Sequence, residues 1–199
     1  FEAQCTMGGA QDAVKNYPAA IGAFSRATTL KPYGKMSRVT PPDALYHLGD
    51  VLRKAGRPEE ALAPTREAVR LAPDRPHTHF SLGSLLNMQK KYDEAMAELQ
   101  ATVLLAEPLL ASGSPPEKDD AQYMLFQSHF RMGVISLRQN RLAEAAVSLE
   151  KAKLYNATPE VLTYLGEVRV SQQDYPRAEI EFRAALTKNP ALHAARLHL

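Results

Sequence analysis

The chain has 199 residues, and its 45% hydrophobic and 23% charged content is typical of a globular protein of one domain or one repeat array. Its net charge of +2 gives no reason to expect nucleic acid as a partner. The single cysteine, Cys5, excludes an internal disulfide and a cysteine-rich zinc site. No apolar run reaches the roughly 18 residues of a membrane-spanning helix, and no signal peptide opens the chain. We therefore predict a cytoplasmic protein without membrane insertion, and the start at Phe1 indicates a processed protein or a fragment of a longer chain.

Five of the ten glycines share one sequence context. They are Gly8, Gly49, Gly83, Gly133 and Gly166. An alanine follows each of them twelve residues later, and another small residue follows seven residues beyond that alanine. Glycine in a helix costs roughly 1 kcal/mol relative to alanine, so five glycines at one phase need a shared packing reason. The spacing predicts a repeat array in which each glycine lies where a second, antiparallel helix approaches a first helix closely.

The residues around these glycines resemble those of the tetratricopeptide repeat, whose pattern is W-x2-L-G-x2-Y, then A-x3-F, then P, over 34 residues. The fifth unit carries most of the pattern: Leu162, Leu165, Gly166, Tyr175, Ala178, Phe182, Ala185 and Pro190. The family tryptophan is absent throughout. The resemblance implies an all-α fold, a right-handed superhelical array of antiparallel helix pairs of the α-solenoid type.

The resemblance covers about residues 1–192 and predicts a single array of five repeats with the start of a sixth. The predicted repeats are 1–34, 42–75, 76–109, 126–158 and 159–192. Turn residues without helical periodicity predict a loop insertion at 35–41. Residues 193–199 are predicted to be a partial terminal helix.

The largest departure from the 34-residue period lies between the third and fourth repeats. Helical periodicity continues beyond the third repeat, breaks at a Ser-Gly-Ser-Pro-Pro segment and resumes at Ala121, with Asp119 or Asp120 as the predicted cap. We therefore predict lengthened helices on both sides of a mobile loop, which form a projecting hairpin over 107–120. This hairpin either merely extends a turn or makes a dedicated contact with a partner.

In stacked helix pairs the first helices line a concave groove, and the phase of the glycines indicates which side chains face it. Tyr46, Phe80 and Phe130 repeat an aromatic residue three places before the glycine in successive repeats. Aromatic and arginine side chains dominate interface energetics, so the groove favours a peptide with apolar anchors and some acidic character. Alternatively, these aromatics pack against the first helix of the neighbouring repeat and contact no ligand. The predicted partner-binding residues are Tyr46, His47, Asp50, Arg53, His77, Phe80, Asn87, Phe130, Arg131, Arg138 and Tyr164.

One subtype of the family binds the C-terminal carboxylate of chaperones through a lysine three places before the glycine and an asparagine directly after it. No repeat of this chain has that pair; the second repeat has Tyr46 and Asp50, and the fourth has Phe130 and Val134. The resemblance therefore disfavours a chaperone tail as the ligand.

Motifs of catalytic and metal sites are absent from the sequence, including HExxH, a glycine-rich phosphate loop and GxSxG. His79 and His129 stand four places before a repeat glycine, where the family has a large core residue, so we predict that both are buried packing residues. The Asp119-Asp120 pair is interpreted as a helix cap. We predict no cofactor, no metal and no enzymatic activity.

The predicted function is that of a non-catalytic protein–protein interaction scaffold, which binds a segment of a protein or peptide partner in the concave groove. Two alternatives remain open. In the first, the chain is the non-catalytic, substrate-presenting arm of a larger enzyme, such as a transferase. In the second, it is a structural subunit of a multiprotein assembly. Flanking sequence would distinguish the first alternative, because a catalytic domain carries its own motifs.

Overall fold

The computed structural model describes residues 1–30, 40–192 and 196. These residues form ten α-helices and no strand, which confirms the predicted all-α class. The helices are α1 (Glu2–Ala13), α2 (Tyr17–Thr29), α3 (Pro41–Lys54), α4 (Pro58–Leu71), α5 (Pro76–Met88), α6 (Tyr92–Ser112), α7 (Pro115–Arg138), α8 (Leu142–Tyr155), α9 (Pro159–Ser171) and α10 (Tyr175–Lys188). The pairs α1–α2, α3–α4, α7–α8 and α9–α10 each pack together, as expected of helix pairs joined by short turns.

Two predicted segments fall largely outside the described residues. The loop predicted at 35–41 lies outside them except for Thr40 and Pro41, and the partial helix predicted at 193–199 lies outside them except for Arg196. Pro41 is already the first residue of α3, and the backbone N–H of Thr40 donates to Asp43 Oδ2 at 2.7 Å. The second repeat therefore starts its helix one residue earlier than the sequence predicts.

Proline occupies the first or second position of seven of the ten helices. This placement is favourable because the first backbone N–H groups of a helix have no partner within it, and proline has no N–H to leave unpaired. A helix start of this kind recurs throughout the described part of the chain. Proline is therefore a local sequence signal that marks where most of these helices begin.

The turn from first to second helix has one feature common to all five repeats. The residue seven places after the repeat glycine has φ between 58° and 75°, in the left-handed region. These residues are Lys15, Gly56, Lys90, Asn140 and Gln173. Since only one of them is glycine, four side chains adopt a conformation that L-residues rarely take. Glycine and asparagine adopt this conformation readily, so the packing of the helix pair imposes it mainly on Lys15, Lys90 and Gln173.

The repeat glycines lie where the two helices of a pair come closest. A Cβ atom built on Gly8 would lie 2.8 Å from the Phe24 ring, and one on Gly133 would lie 2.5 Å from Leu149 Cγ, whereas ordinary contact is 3.4–4 Å. The obstructing residue is always sixteen places after the glycine. In the four pairs described it is Phe24, Thr65, Leu149 and Phe182. The close approach predicted from the glycine spacing is confirmed at these four pairs.

The small residues of the pattern are among the most deeply buried in the molecule. All ten are at most 3% exposed. They are Ala20, Ala27, Ala61, Ala68, Ala95, Thr102, Ala145, Ala152, Ala178 and Ala185. A larger side chain at these positions would have to displace well-packed neighbours, which typically costs about 1–3 kcal/mol.

The helices on both sides of the insertion are the longest described, with 21 residues in α6 and 24 in α7. A two-residue turn separates them, in place of the predicted loop. The helix α7 starts directly after Ser114, whose backbone N–H donates to Glu117 Oε2 at 2.7 Å. The predicted cap at Asp119 or Asp120 is therefore wrong, because the Ser-Pro-Pro-Glu segment starts the helix about one and a half turns earlier.

The chain divides into two compact units, Phe1–Glu98 and Leu99–Leu199, with the division inside α6. Each unit has buried clusters of its own. In the first unit, Ala20, Phe24 and Val51 join α2 to α3. In the second unit, buried residues of α7, α8 and α9 form one cluster.

Two adjacent glycines of α1 distinguish the effect of close helix packing on stability from the effect of helix propensity. Gly8 faces Phe24, whereas a Cβ atom on Gly9 would meet no atom within 4 Å among the described residues. We expect Gly9→Ala to raise the free energy of unfolding by roughly 0.5–1 kcal/mol. Gly8→Ala should lower it by roughly 1–3 kcal/mol, because the ring must move. Urea denaturation followed by circular dichroism measures both variants, and equal stabilisation would contradict a close contact at Gly8.

Candidate functional site

The predicted partner-binding residues of the first unit lie on the first helices α3 and α5. The Tyr46 ring on α3 lies 6.4 Å from the His77 ring on α5, centroid to centroid, at an interplanar angle of 71°. A hydrogen bond joins the side chains of Tyr46 and Ser81, and burial raises the pKa of Tyr46 above its usual value. Tyr46 therefore bridges α3 and α5, while its half-buried ring keeps part of its surface exposed.

His47, the next residue, faces the preceding helix pair. Its ring stacks on Phe24 of α2 at 5.3 Å with an interplanar angle of 18°, and it also lies 5.1 Å from the Tyr46 ring. Although His47 is exposed, partial desolvation of its imidazole against the neighbouring rings lowers its pKa, and nearby carboxylates act in the opposite direction. The ring is therefore neutral at pH 7 and contributes an aromatic face.

Charged residues connect α3 to α1. Lys54 Nζ lies 2.7 Å from Asp12 Oδ2 and 2.9 Å from Asp50 Oδ2, and the Arg53 guanidinium lies 2.7 Å from Asp50 Oδ1. Burial alone would raise the pKa of Asp50, but the hydrogen bonds from Lys54 and Arg53 outweigh it and lower that pKa. The two cations of α3 are thus neutralised by carboxylates of the protein itself. Asp12 is not among the predicted residues, although it stands four places after a repeat glycine, as Arg53 does.

Two further predicted residues lie on α5. Phe80 is half-buried. Asn87 is half-buried too, and its Oδ1 atom is buried without a hydrogen-bond partner among the described residues. A buried acceptor of this kind costs about 1–3 kcal/mol when it stays unpaired. Because this oxygen has almost no accessible surface, its unpaired state is a feature of the packing and does not mark a contact point for a ligand.

Aromatic side chains also meet between the first helices of the second unit. The Phe130 ring on α7 lies 5.5 Å from the Tyr164 ring on α9, edge to face at 63°, and 6.3 Å from the Phe126 ring, nearly parallel at 9°. Phe130 and Tyr164 are half-buried and pack against the cluster of α7, α8 and α9. The alternative predicted for the aromatics, packing on the neighbouring first helix, therefore describes both Phe130 and Tyr46. Each ring nevertheless remains partly accessible.

The two predicted arginines of α7 have different surroundings. Arg131 is half-buried, whereas Arg138 is exposed at the last residue of the helix. Arg138 forms no ion pair with any residue that the structure describes. Its charge is favourable at this position because the C-terminal end of a helix carries partial negative charge.

His129 occupies the core, as its place before the glycine predicts. It is 3% exposed, its ring stacks on Tyr155 at 6.0 Å, and its Nδ1 atom has no hydrogen-bond partner within the described part of the chain. Burial, with a smaller contribution from the charge of Lys151, lowers its pKa to about 4. His129 is therefore neutral at pH 7.

His79 corrects the sequence prediction in part: its side chain is only 12% exposed, but its ring forms hydrogen bonds and is not a purely packing residue. Its Nδ1 atom lies 2.6 Å from Glu98 Oε2, and its Nε2 atom lies 2.9 Å from the carbonyl oxygen of Pro73. The hydrogen bond with Glu98 raises the pKa of His79. The sequence pattern contains no sign of this pair, since Glu98 lies on the next helix.

Within residues 1–30, 40–192 and 196, no three histidine, cysteine, aspartate or glutamate side chains are placed to hold a metal ion. No helix in these ranges is long and apolar enough to cross a membrane.

Helix pairs that pack on a regularly spaced glycine define an α-helical repeat protein. The family model of the tetratricopeptide repeat matches residues 8–76, 46–108 and 130–193. Because these matches cover most of the sequence, the chain belongs to the tetratricopeptide repeat family. Such repeats bind protein partners and are typically non-catalytic, so in general terms the chain is a protein-interaction scaffold.

Several solved structures share the fold. A crystal structure of MamA protein has a TM-score of 0.75 and 17% identity, over 95% of this chain and 91% of that one. Residues 41 to the end of MamA from Desulfovibrio magneticus RS-1 give a TM-score of 0.75 and 16% identity, over 96% of both chains. TTC0263, a thermophilic tetratricopeptide repeat protein of Thermus thermophilus, gives 0.53 and 20% identity, over 98% of this chain and 95% of that one. At these identities the likeness concerns the fold alone.

The contribution of His129 to the stability of the chain should fall as the pH is lowered from about 6.5 towards 4. The folded chain keeps His129 neutral down to a pKa of about 4. The unfolded chain binds a proton near pH 6.5, so acid favours unfolding, by at most about 1.4 kcal/mol per pH unit. Urea denaturation at pH 7, 6 and 5 should give a flatter profile for His129→Leu than for the wild type. The raised pKa of His79 affects stability in the opposite direction, but it is present in both proteins and so cancels from their difference. Parallel pH profiles of the two proteins would contradict the lowered pKa of His129.

Proposed function

We propose that the chain binds a segment of a partner protein in a groove lined by its first helices. The observation that carries this proposal is the aromatic contact between adjacent first helices in each unit, Tyr46 with His77 and Phe130 with Tyr164. All but His77 of these residues are half-buried, so packing fixes their orientation while part of their surface stays accessible. Aromatic side chains held in this way make effective anchors, because little rotamer freedom is lost when a partner binds.

The charges support a partner whose acidic groups lie near the second unit. Arg138 is exposed and forms no ion pair with the described residues. Arg53 and Lys54 in the first unit are already paired with Asp50 and Asp12. An acidic side chain at Arg53 must compete with Asp50, whereas one at Arg138 competes only with water. We therefore infer that apolar anchoring dominates in the first unit and that charge attraction contributes in the second.

Selection of binders from a phage-displayed random peptide library, with the chain as bait, tests the proposal. Selected peptides should contain large apolar residues together with acidic ones. Phe130→Ala should weaken binding of a selected peptide about tenfold or more, as truncation of a central aromatic anchor does. Arg138→Glu should weaken it as well, with a larger effect at low salt. Fluorescence anisotropy of the labelled peptide measures these affinities.

Val147→Ala and Ile180→Ala are matched controls on the second helices α8 and α10. These side chains are 58% and 65% exposed, so their truncation leaves the core intact and should leave the affinity unchanged. Arg138→Glu alters no buried contact, which separates loss of binding from the loss of stability that Phe130→Ala also causes. If the selected peptides bind the two control variants more weakly than the wild type, but bind the Phe130 and Arg138 variants as tightly as the wild type, the binding surface lies elsewhere.

A further inference from the structure

The insertion between the third and fourth repeats contributes to a pocket of about 270 Å³ in the second unit. Its lining comes from the start of α7 and the end of α8. The residues are Asp119, Gln122, Tyr123, Phe126, Tyr155 and Asn156. The first three belong to the residues that lengthen α7 beyond the repeat pattern, so a repeat of ordinary length would lack this pocket.

The α7 residues of the pocket share one helix face. They stand at relative positions 0, 3, 4 and 7, which is the spacing of a single stripe along an α-helix. The stripe continues one turn further to Phe130, whose ring lies 6.3 Å from that of Phe126. The pocket therefore adjoins the aromatic side chains on which the proposed function rests, and it is continuous with them along α7.

Three aromatic rings and one carboxylate meet at this pocket, and this combination fits a cation. Tyr123 is 57% exposed, Tyr155 is half-buried and Phe126 is buried, so the rings form a wall with an accessible side. The face of an aromatic ring attracts a cation electrostatically. Asp119 is exposed and has no ion pair among the described residues, so its charge is available to a ligand.

The charges around the pocket are mixed, with carboxylates in excess: Asp119 lines it and Glu107 acts on Tyr155, whereas Lys151 acts on His129, which stacks on Tyr155. Segment 107–120 carries four carboxylates and a single lysine. The carboxylates are those of Glu107, Glu117, Asp119 and Asp120, and the lysine is Lys118. Burial raises the pKa of the Tyr155 hydroxyl, and the negative charge of Glu107 raises it further, so this carboxylate acts at the pocket. An excess of negative charge of this kind complements a positively charged side chain.

We propose that the pocket binds an arginine side chain of a partner protein. A guanidinium is planar, stacks on aromatic faces and carries five N–H donors. Asp119 supplies a charged acceptor, and the amides of Gln122 and Asn156 supply neutral ones. Gln122 Nε2 donates to the carbonyl oxygen of Tyr155 at 3.4 Å, which leaves its Oε1 atom for a ligand. A lysine ammonium is also attracted by aromatic faces, but it is compact and strongly hydrated, so it cannot stack on the rings and reach the separated acceptors at once.

The test uses N-acetyl-arginine N-methylamide, titrated at pH 7 and low ionic strength into the ¹⁵N-labelled chain and followed by NMR chemical shifts. Shifts should concentrate at the pocket residues, and the citrulline analogue, which has nearly the same shape without the charge, should bind roughly three- to tenfold more weakly. Asp119→Asn and Tyr123→Ala should each weaken the arginine probe by a similar factor. Both residues are exposed, so the fold is expected to survive, and circular dichroism verifies this.

Glu160→Gln and Tyr175→Ala are matched controls in the same unit. They remove an exposed carboxylate and a tyrosine that is 62% exposed, neither of which lines the pocket, and should leave binding unchanged. Equal binding of the citrulline probe, or equal weakening by controls and pocket variants, would overturn the proposal. Equal binding of the lysine analogue would overturn the assignment to arginine. The arginine probe is a single residue and tests only the pocket, whereas the peptide selection tests the groove of the first helices. A negative result in one experiment therefore does not imply a negative result in the other.

Discussion

The repeat glycine lets the second helix of a pair pack directly on the backbone of the first. At Gly133 a Cβ atom would lie 2.5 Å from Leu149 Cγ, so the leucine occupies the space that any side chain would need. Glycine costs roughly 1 kcal/mol of helix propensity at such a place, and the close packing of the buried partner side chain offsets that cost. The small residues twelve and nineteen places after the glycine extend this contact along the second helix.

The contact at the glycine also determines which side chains of the first helix face the adjacent first helices. Once the glycine faces its own second helix, residues just before and after it lie towards the adjacent first helices. Tyr46 therefore meets His77, Phe130 meets Tyr164, and Lys54 reaches Asp12. Both units carry an aromatic contact between adjacent first helices, and the first unit adds an ion network of Lys54, Arg53, Asp50 and Asp12.

The glycine phase predicted the helices and the buried small residues because both depend on local spacing. Other features needed information that the pattern lacks. Asp119 and Ser114 are both acceptable helix caps, and the prolines and Glu117 that follow Ser114 decided between them. Three of the left-handed turn residues, Lys15, Lys90 and Gln173, carry no sequence signal of their own, because packing imposes their conformation. The pairing of Lys54 with Asp12 joins different repeats, so it depends on how neighbouring first helices pack.

A double-mutant cycle between Gly133→Ala and Leu149→Ala tests the close approach most directly. In the wild-type background, Gly133→Ala should lower the free energy of unfolding, because the new methyl group collides with the leucine. In the Leu149→Ala background the same change should be neutral or stabilising, since the truncated side chain leaves room for it. The account predicts a coupling energy of at least about 1 kcal/mol between the two positions. Additive effects would contradict it.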